Sequence, residues 1–173
     1  MNRSMSTIIL ILTATTTALI GGLFYSYSCS VNPGLGRLPD ASYIAAMQSI
    51  NKAIINPLFM MSFLGTLILL PLCTYSNYSA PASLRFYLLL AATILYAVGV
   101  FGVTMFGNVP LNDALARVDL QTSSALQIKE HRLAFEDPWN SLHRIRSIAS
   151  VGTLILVILA CVLGRQSSED YIL

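Results

Sequence analysis

Four apolar runs dominate this chain, at roughly 7–29, 54–74, 84–106 and 145–164. Each is close to the about 20 residues that an α-helix needs to cross about 30 Å of hydrocarbon. Inside a bilayer every backbone N–H and C=O must be satisfied within its own segment, so such runs form helices and not open strands. Only 10% of the 173 residues are charged, where a soluble domain would carry roughly 25%. The expected fold is an all-α membrane protein, a four-transmembrane-helix bundle with two long, partly helical connections on one membrane face. Four spans leave too little chain for a separate soluble unit, so residues 1–173 read as a single domain.

The first run has two readings. A signal peptide would have a shorter apolar region and a small-x-small cleavage site. Here only Arg3 precedes a long run, and Ser26-Tyr27-Ser28-Cys29 lacks the apolar residue of a lipoprotein site. The retained helix is the favoured reading. The net charge of +2 says nothing about nucleic acid, but the lack of a basic tract interleaved with aromatics argues against a nucleic-acid function. Cys29, Cys73 and Cys161 lie in or at the ends of apolar runs without CxxC spacing. They read as small buried hydrophobes and not as a redox or metal pair.

The first long connection opens with the turn-rich Asn32-Pro33-Gly34-Leu35-Gly36. A helix is expected from Asp40 as N-cap, with Tyr43, Met47, Ile50 and Ile54 on one face. It should run into the second span through a kink at Pro57. Tyr75–Ser83 is a short turn that makes spans two and three a hairpin. In the second long connection, 113–132 carries mixed charge, the pattern of a solvated helical segment. The tail after Gly164 is short and polar. The long connections hold Arg37, Lys52, Arg117, Lys129, Arg132, Arg144 and Arg146, and the opposite face holds Arg3, Arg85 and Arg165. That bias points the long connections to the cytoplasm. Gly21, Gly22, Gly65, Gly99, Gly102 and Gly152 lie in or near the spans, where small residues let helix backbones approach closely.

Polar side chains gathered near a bilayer are costly and mark a candidate site. Asn108 and Asn112 are four apart and share a helical face. They are also readable as an N-cap, with Pro110 in a first turn, and a surface residue. Trp139, His143 and Arg146 fall on one stripe of a helix expected to begin near Asp137-Pro138. An interfacial belt of Trp and snorkelling Arg would look the same. Gln48, Asn51 and Asn56 bring a third polar edge from the other long connection. No His/Cys/carboxylate set has metal-ligand spacing, so no metal site is assigned. Nucleophile, phosphate-loop and dinucleotide motifs are also missing from the sequence.

The segments Ala46-Met47-Gln48-Ser49-Ile50-Asn51, Asn56-Pro57-Leu58-Phe59, Gly107-Asn108-Val109-Pro110-Leu111-Asn112-Asp113-Ala114-Leu115 and Trp139-x-x-x-His143-x-x-Arg146 resemble the anthrone oxygenase-like family of four-span membrane proteins. Asn-Val-Pro-Leu-Asn is the most specific part. The resemblance implies oxidation of an anthrone-like aromatic by oxygen without a cofactor. On that reading His143 is the base, Arg146 stabilises the enolate oxygen and Trp139 stacks on the ring. Asn108, Asn112, Asn51, Gln48 and Asn56 complete the substrate site. The expected location is the plasma (inner) membrane of a bacterium, with membrane lipid and an apolar aromatic ligand as partners. The competing reading is a non-catalytic accessory membrane protein that binds a lipid, a quinone-like ligand or the subunits of a homo-oligomer or larger membrane complex. A transporter fits less well, because mid-span ionisable residues and internal repeats are missing from the sequence.

Overall fold

The computed structural model describes residues 3–166. The side chains of Arg3 and Arg165 and the polar tail from residue 167 lie outside it. The first rod comprises α1 (Arg3–Ser26), a π-helical stretch π1 (Tyr27–Val31) and α2 (Asn32–Leu35). It is followed by α3 (Asp40–Ala53) and α4 (Pro57–Ser76). The third rod joins α5 (Leu84–Leu95), π2 (Tyr96–Gly102), π3 (Thr104–Asn108) and α6 (Val109–Ala116). The last helix is α7 (Ala125–Gln166). Four of these stretches are long and apolar enough to cross a membrane, namely Ser4–Leu35, Pro57–Ser76, Leu84–Ala116 and Ala125–Leu163. The chain is an integral membrane protein whose described residues form helices joined by short turns.

The spans pack as a ring: α1 on α4, α4 on α5, α5 on α7 and α7 back on α1. Ile20, Phe24, Phe63, Leu70, Tyr96, Val100 and Val157 form its core. Thr13, Thr17, Thr66 and Thr153 are also fully buried, and each returns its hydroxyl to a carbonyl of its own helix. At 42 residues α7 is about 63 Å long, twice the hydrocarbon thickness. Its first half therefore projects past the bundle, where α3 and α6 pack beside it. Tyr43, Ile44, Met47, Leu115, Phe135 and Trp139 make a second core there. Burial raises the Tyr43 phenol well above the ordinary tyrosine range. Arg132 fastens this head. Its guanidinium bonds Asp40 at 2.9 Å, Glu136 at 2.6 Å and the carbonyls of Leu38 and Gly36.

Local structure departs from the sequence expectations in five places. The first rod runs on to Leu35, because Pro33 occupies a first-turn position of α2, and the chain turns only at 36–38. Pro39 and not Asp40 is the N-cap of α3, and the Asp40 carboxylate is taken by Arg132. α3 does not continue into the second span. Pro57 forces Asn56 into extended backbone, and the chain breaks there before α4. Asn108 stands at the N-cap position of α6 with Pro110 in the first turn, as expected, but its side chain caps nothing and the third rod continues through it. α7 does not start at Asp137 either. It passes through Pro138, a residue that costs about 3 kcal/mol inside a helix, because packing of Phe135 and Trp139 and the Arg132–Glu136 pair hold it around the proline.

The glycine reading of close approach is sharpest at Gly99. A Cβ there would stand 2.7 Å from the Cβ of Ala149. Neither atom is the end of a flexible chain, so the helices would have to separate. Gly99→Ala should lower the melting temperature of the purified protein by the equivalent of about 1–3 kcal/mol of overpacking. Adding Ala149→Gly should recover most of it, as circular dichroism melts of the two variants would show.

Candidate functional site

A cavity of about 780 Å³ lies where α4 and the third rod diverge, beneath the head. Phe24 and Tyr27 from the first rod, Phe59 and Phe63 from α4 and Phe101 from π2 give it aromatic walls. Phe59 and Phe63 are stacked with centroids 5.1 Å apart. Gln48, Asn51 and Lys52 enter from α3, Asn112 and Asp113 from α6, and Trp139 and Arg146 from α7. Each π-helical stretch contributes to the wall: Tyr27 from π1, Phe101 from π2, Thr104 and Met105 from π3. Such irregular turns are frequent at functional sites.

Trp139 is the centre of the polar network. It is only 3% exposed. Its Nε1–H donates to Asn112 Oδ1 at 2.8 Å, and its carbonyl accepts from Asn108 Nδ2 at 3.3 Å. Its ring stacks on His143 with centroids 5.1 Å apart at 11°, and on Phe135 at 6.1 Å. Gln48 spans the head by donating to the carbonyls of Leu115 and Val118, both at 2.9 Å. Asn51 lines the cavity with a buried Nδ2 that has no partner, and Asn108 has a buried, unpaired Oδ1 behind the wall. An unmade hydrogen bond of this kind costs about 1–3 kcal/mol.

Arg146 is the most unusual group. It is 8% exposed, and among the described residues no carboxylate pairs with it. Its guanidinium lies 4.5 Å from the Phe24 ring centroid and 5.0 Å from that of Trp139. Nε donates to His143 Nδ1 at 3.2 Å. Arginine carries no acceptor, so Nδ1 must accept and the imidazole proton sits on Nε2. That nitrogen faces Ser28 Oγ at 3.0 Å and Ser147 Oγ at 3.2 Å.

The sequence-predicted residues thus separate into three groups. Gln48, Asn51, Asn112, Trp139 and Arg146 line one cavity. His143 and Asn108 stand directly behind it and touch its wall residues. Asn56 does neither, because its oxygen caps α4 through Phe59 N–H at 3.1 Å and its amide returns to Ala53 and Ile54. Sequence reasoning missed Tyr27, which it met only as part of a discarded cleavage site, and the phenylalanines of the wall, which look like any apolar span residues.

Comparison with known families now bears on this geometry. A family model described as anthrone oxygenase matches residues 46–156. The chain belongs to the anthrone oxygenase family. The matched stretch includes the Gln48–Asn51 edge, the Asn108–Asn112 motif and the Trp139–Arg146 stripe, and so takes in most of the polar wall of the cavity. No curated protein and no solved structure matches the chain.

The Trp139–Asn112 bond joins α7 to α6. Asn112→Leu should leave the buried indole N–H unpaired and cost about 1–3 kcal/mol. A lower melting temperature and a shifted emission of Trp139, the only tryptophan in the chain, would be measured together. An unchanged spectrum would mean that the bond is not formed.

Proposed function

We propose that the chain oxidises a flat, apolar, anthrone-type substrate with oxygen and without a cofactor. The observation that carries this reading is the buried Arg146 guanidinium at the wall of an aromatic cavity, with no acid to neutralise it. A buried, unpaired cation is strongly unfavourable. It makes sense where an anionic oxygen arrives with the ligand and develops further charge during reaction. The unpaired Asn51 Nδ2 offers a second donor. The ring body of the substrate would lie against the Phe59–Phe63 wall, where a planar aromatic gains most from offset stacking.

The chemistry asks little beyond this setting. The reacting CH₂ lies between aryl rings and is conjugated to a carbonyl. A base takes one proton, and the electron pair spreads onto the oxygen held by Arg146. The resulting enolate passes electrons to O₂ and forms a C–O bond as a peroxide. Loss of the second proton with O–O cleavage leaves a new carbonyl and water. The balance is CH₂ + O₂ → C=O + H₂O. His143 is better suited to hold Arg146 in place than to meet the substrate, since it is 2% exposed and its Nδ1 is already engaged.

Membrane placement supports the same reading. Ile55, Leu64 and Met105 line the cavity and are exposed apolar side chains, an arrangement that suits entry of an apolar substrate from lipid. We place the protein in the plasma (inner) membrane of a bacterium with the head in the cytoplasm. Arg132 and Arg146 are engaged in the fold, but Arg37, Lys52, Arg117, Lys129 and Arg144 still bias that face.

Oxygen uptake and anthraquinone formation from anthrone by the purified protein in nanodiscs are the direct test. Arg146→Met should lower turnover by about 10²–10³-fold, the usual effect of removing an oxyanion donor. Arg146→Lys should recover part of it. A wild-type protein that binds anthrone but does not accelerate its oxidation would favour the accessory, ligand-binding reading.

A further inference from the structure

We propose that Tyr27 is the base that takes the substrate proton and later returns it to the peroxide. This assignment rests on the anthrone-type oxidation proposed above. Four titratable side chains line the cavity: Tyr27, Lys52, Asp113 and Arg146. Lys52 and Asp113 are exposed at its outer rim, open to water. Arginine does not give up its proton in proteins. His143 lies off the wall with both ring nitrogens facing protein partners. Tyr27 is the group that remains.

Positive geometry supports it. Tyr27 opens π1, where the first rod departs from α-helical spacing next to the cavity. Its ring lies 6.4 Å from Trp139 and 5.9 Å from His143. These are two of the rings that hold Arg146. Tyr27 and Arg146 line the same cavity and both lie against the Trp139 ring. Proton transfer therefore moves negative charge from the Tyr27 oxygen to the substrate oxygen beside a single cation. The charge never leaves the field that stabilises it, so little reorganisation opposes the step.

The sequence balances with oxygen as the only added reactant. Tyr27 phenolate takes a proton from the CH₂, and the C–H pair becomes the enolate. The enolate transfers two electrons to O₂ in one-electron steps, and a C–O bond forms. The Tyr27 phenol protonates the peroxide, and the regenerated phenolate takes the second C–H proton as the O–O bond breaks and hydroxide leaves; the phenol then protonates that hydroxide to water and returns to phenolate.

Two readouts with anthrone as the probe separate this proposal from the functional reading. The first is deuterium exchange at the anthrone CH₂ under anaerobic conditions, above the solvent background. The second is oxygen uptake. Tyr27→Phe should remove both by at least about hundredfold, the scale of general base catalysis, while anthraquinone still quenches Trp139 fluorescence and the melting temperature holds. Replacement of Tyr27 by 2,3-difluorotyrosine, a stronger acid, should move the rising limb of the pH–rate profile to lower pH. The charged and titratable groups around Tyr27 are His143 from α7, whose ring lies 5.9 Å away, and Arg146 from α7, Lys52 from α3 and Asp113 from α6, which share its cavity. A profile that moves with Asp113→Asn and ignores the fluorotyrosine would overturn the proposal. So would a Tyr27→Phe protein that oxidises anthrone at the wild-type rate, with the functional reading left standing. A wild-type protein that exchanges deuterium but takes up no oxygen would end the oxidation reading, and loss of that exchange in Tyr27→Phe would still leave Tyr27 as the base. Absence of both activities in the wild type would overturn both.

Discussion

The indole of Trp139 is the interaction on which the site depends. One side chain stacks on Phe135 and His143, anchors to Asn112 through its N–H and lies against the Arg146 guanidinium. The backbone at the same residue receives Asn108. Two spans, α7 and the third rod, are thereby locked together. Between spans in lipid the hydrophobic effect supplies little drive, so packing and hydrogen bonds must set their relation. Here a rigid aromatic plate with one polar edge does so, and the cavity lies beside it.

The head above the bundle is a consequence of length. α7 and the first and third rods are all longer than a bilayer is thick. Their surplus turns need an apolar partner outside the membrane, and α3 supplies it through Tyr43, Ile44 and Met47. The polar short turns close the arrangement. At 117–124, Asp119 accepts from Gln121 N–H at 2.8 Å, which holds its carboxyl below the usual range. α3 then brings Gln48 and Asn51 over the cavity as a roof. A candidate polar edge and a structural cover are the same fourteen-residue helix.

The four spans and their bundle were legible because membrane length and apolar composition leave few alternatives. The three polar stripes were legible because helical spacing puts Trp139, His143 and Arg146 on one face wherever the helix begins. What could not be read was continuity. Pro33, Pro110 and Pro138 each look like a stop or a start, yet each is passed within a helical rod. Those outcomes depend on tertiary partners, such as the Arg132 clamp, that no local pattern reports. Asn56 shows the opposite error. It stands in a polar motif, but the proline after it makes it a helix cap. Tyr27 escaped notice because a tyrosine near a membrane surface is ordinary, and only the cavity distinguishes it from Tyr25, which is exposed.

Two arginines on α7 show how burial separates support from chemistry. Arg132 is saturated: two carboxylates, two carbonyls and the face of Tyr43 at 4.4 Å take up its charge and its donors. Nothing is left for a ligand, and its work is to hold the first connection against the helix. Arg146 is buried as well but receives only π faces and one imidazole nitrogen. A carboxylate in place of that imidazole would make a better ion pair and, on the function proposed, a worse site, because it would cancel the field that an incoming oxyanion would need. A neutral imidazole fixes the direction of the guanidinium and leaves its charge intact. This is a reason for a histidine at position 143 that does not require it to touch the substrate. It also explains why His143 and Arg146 are spaced as neighbours on one helix while only Arg146 reaches the cavity.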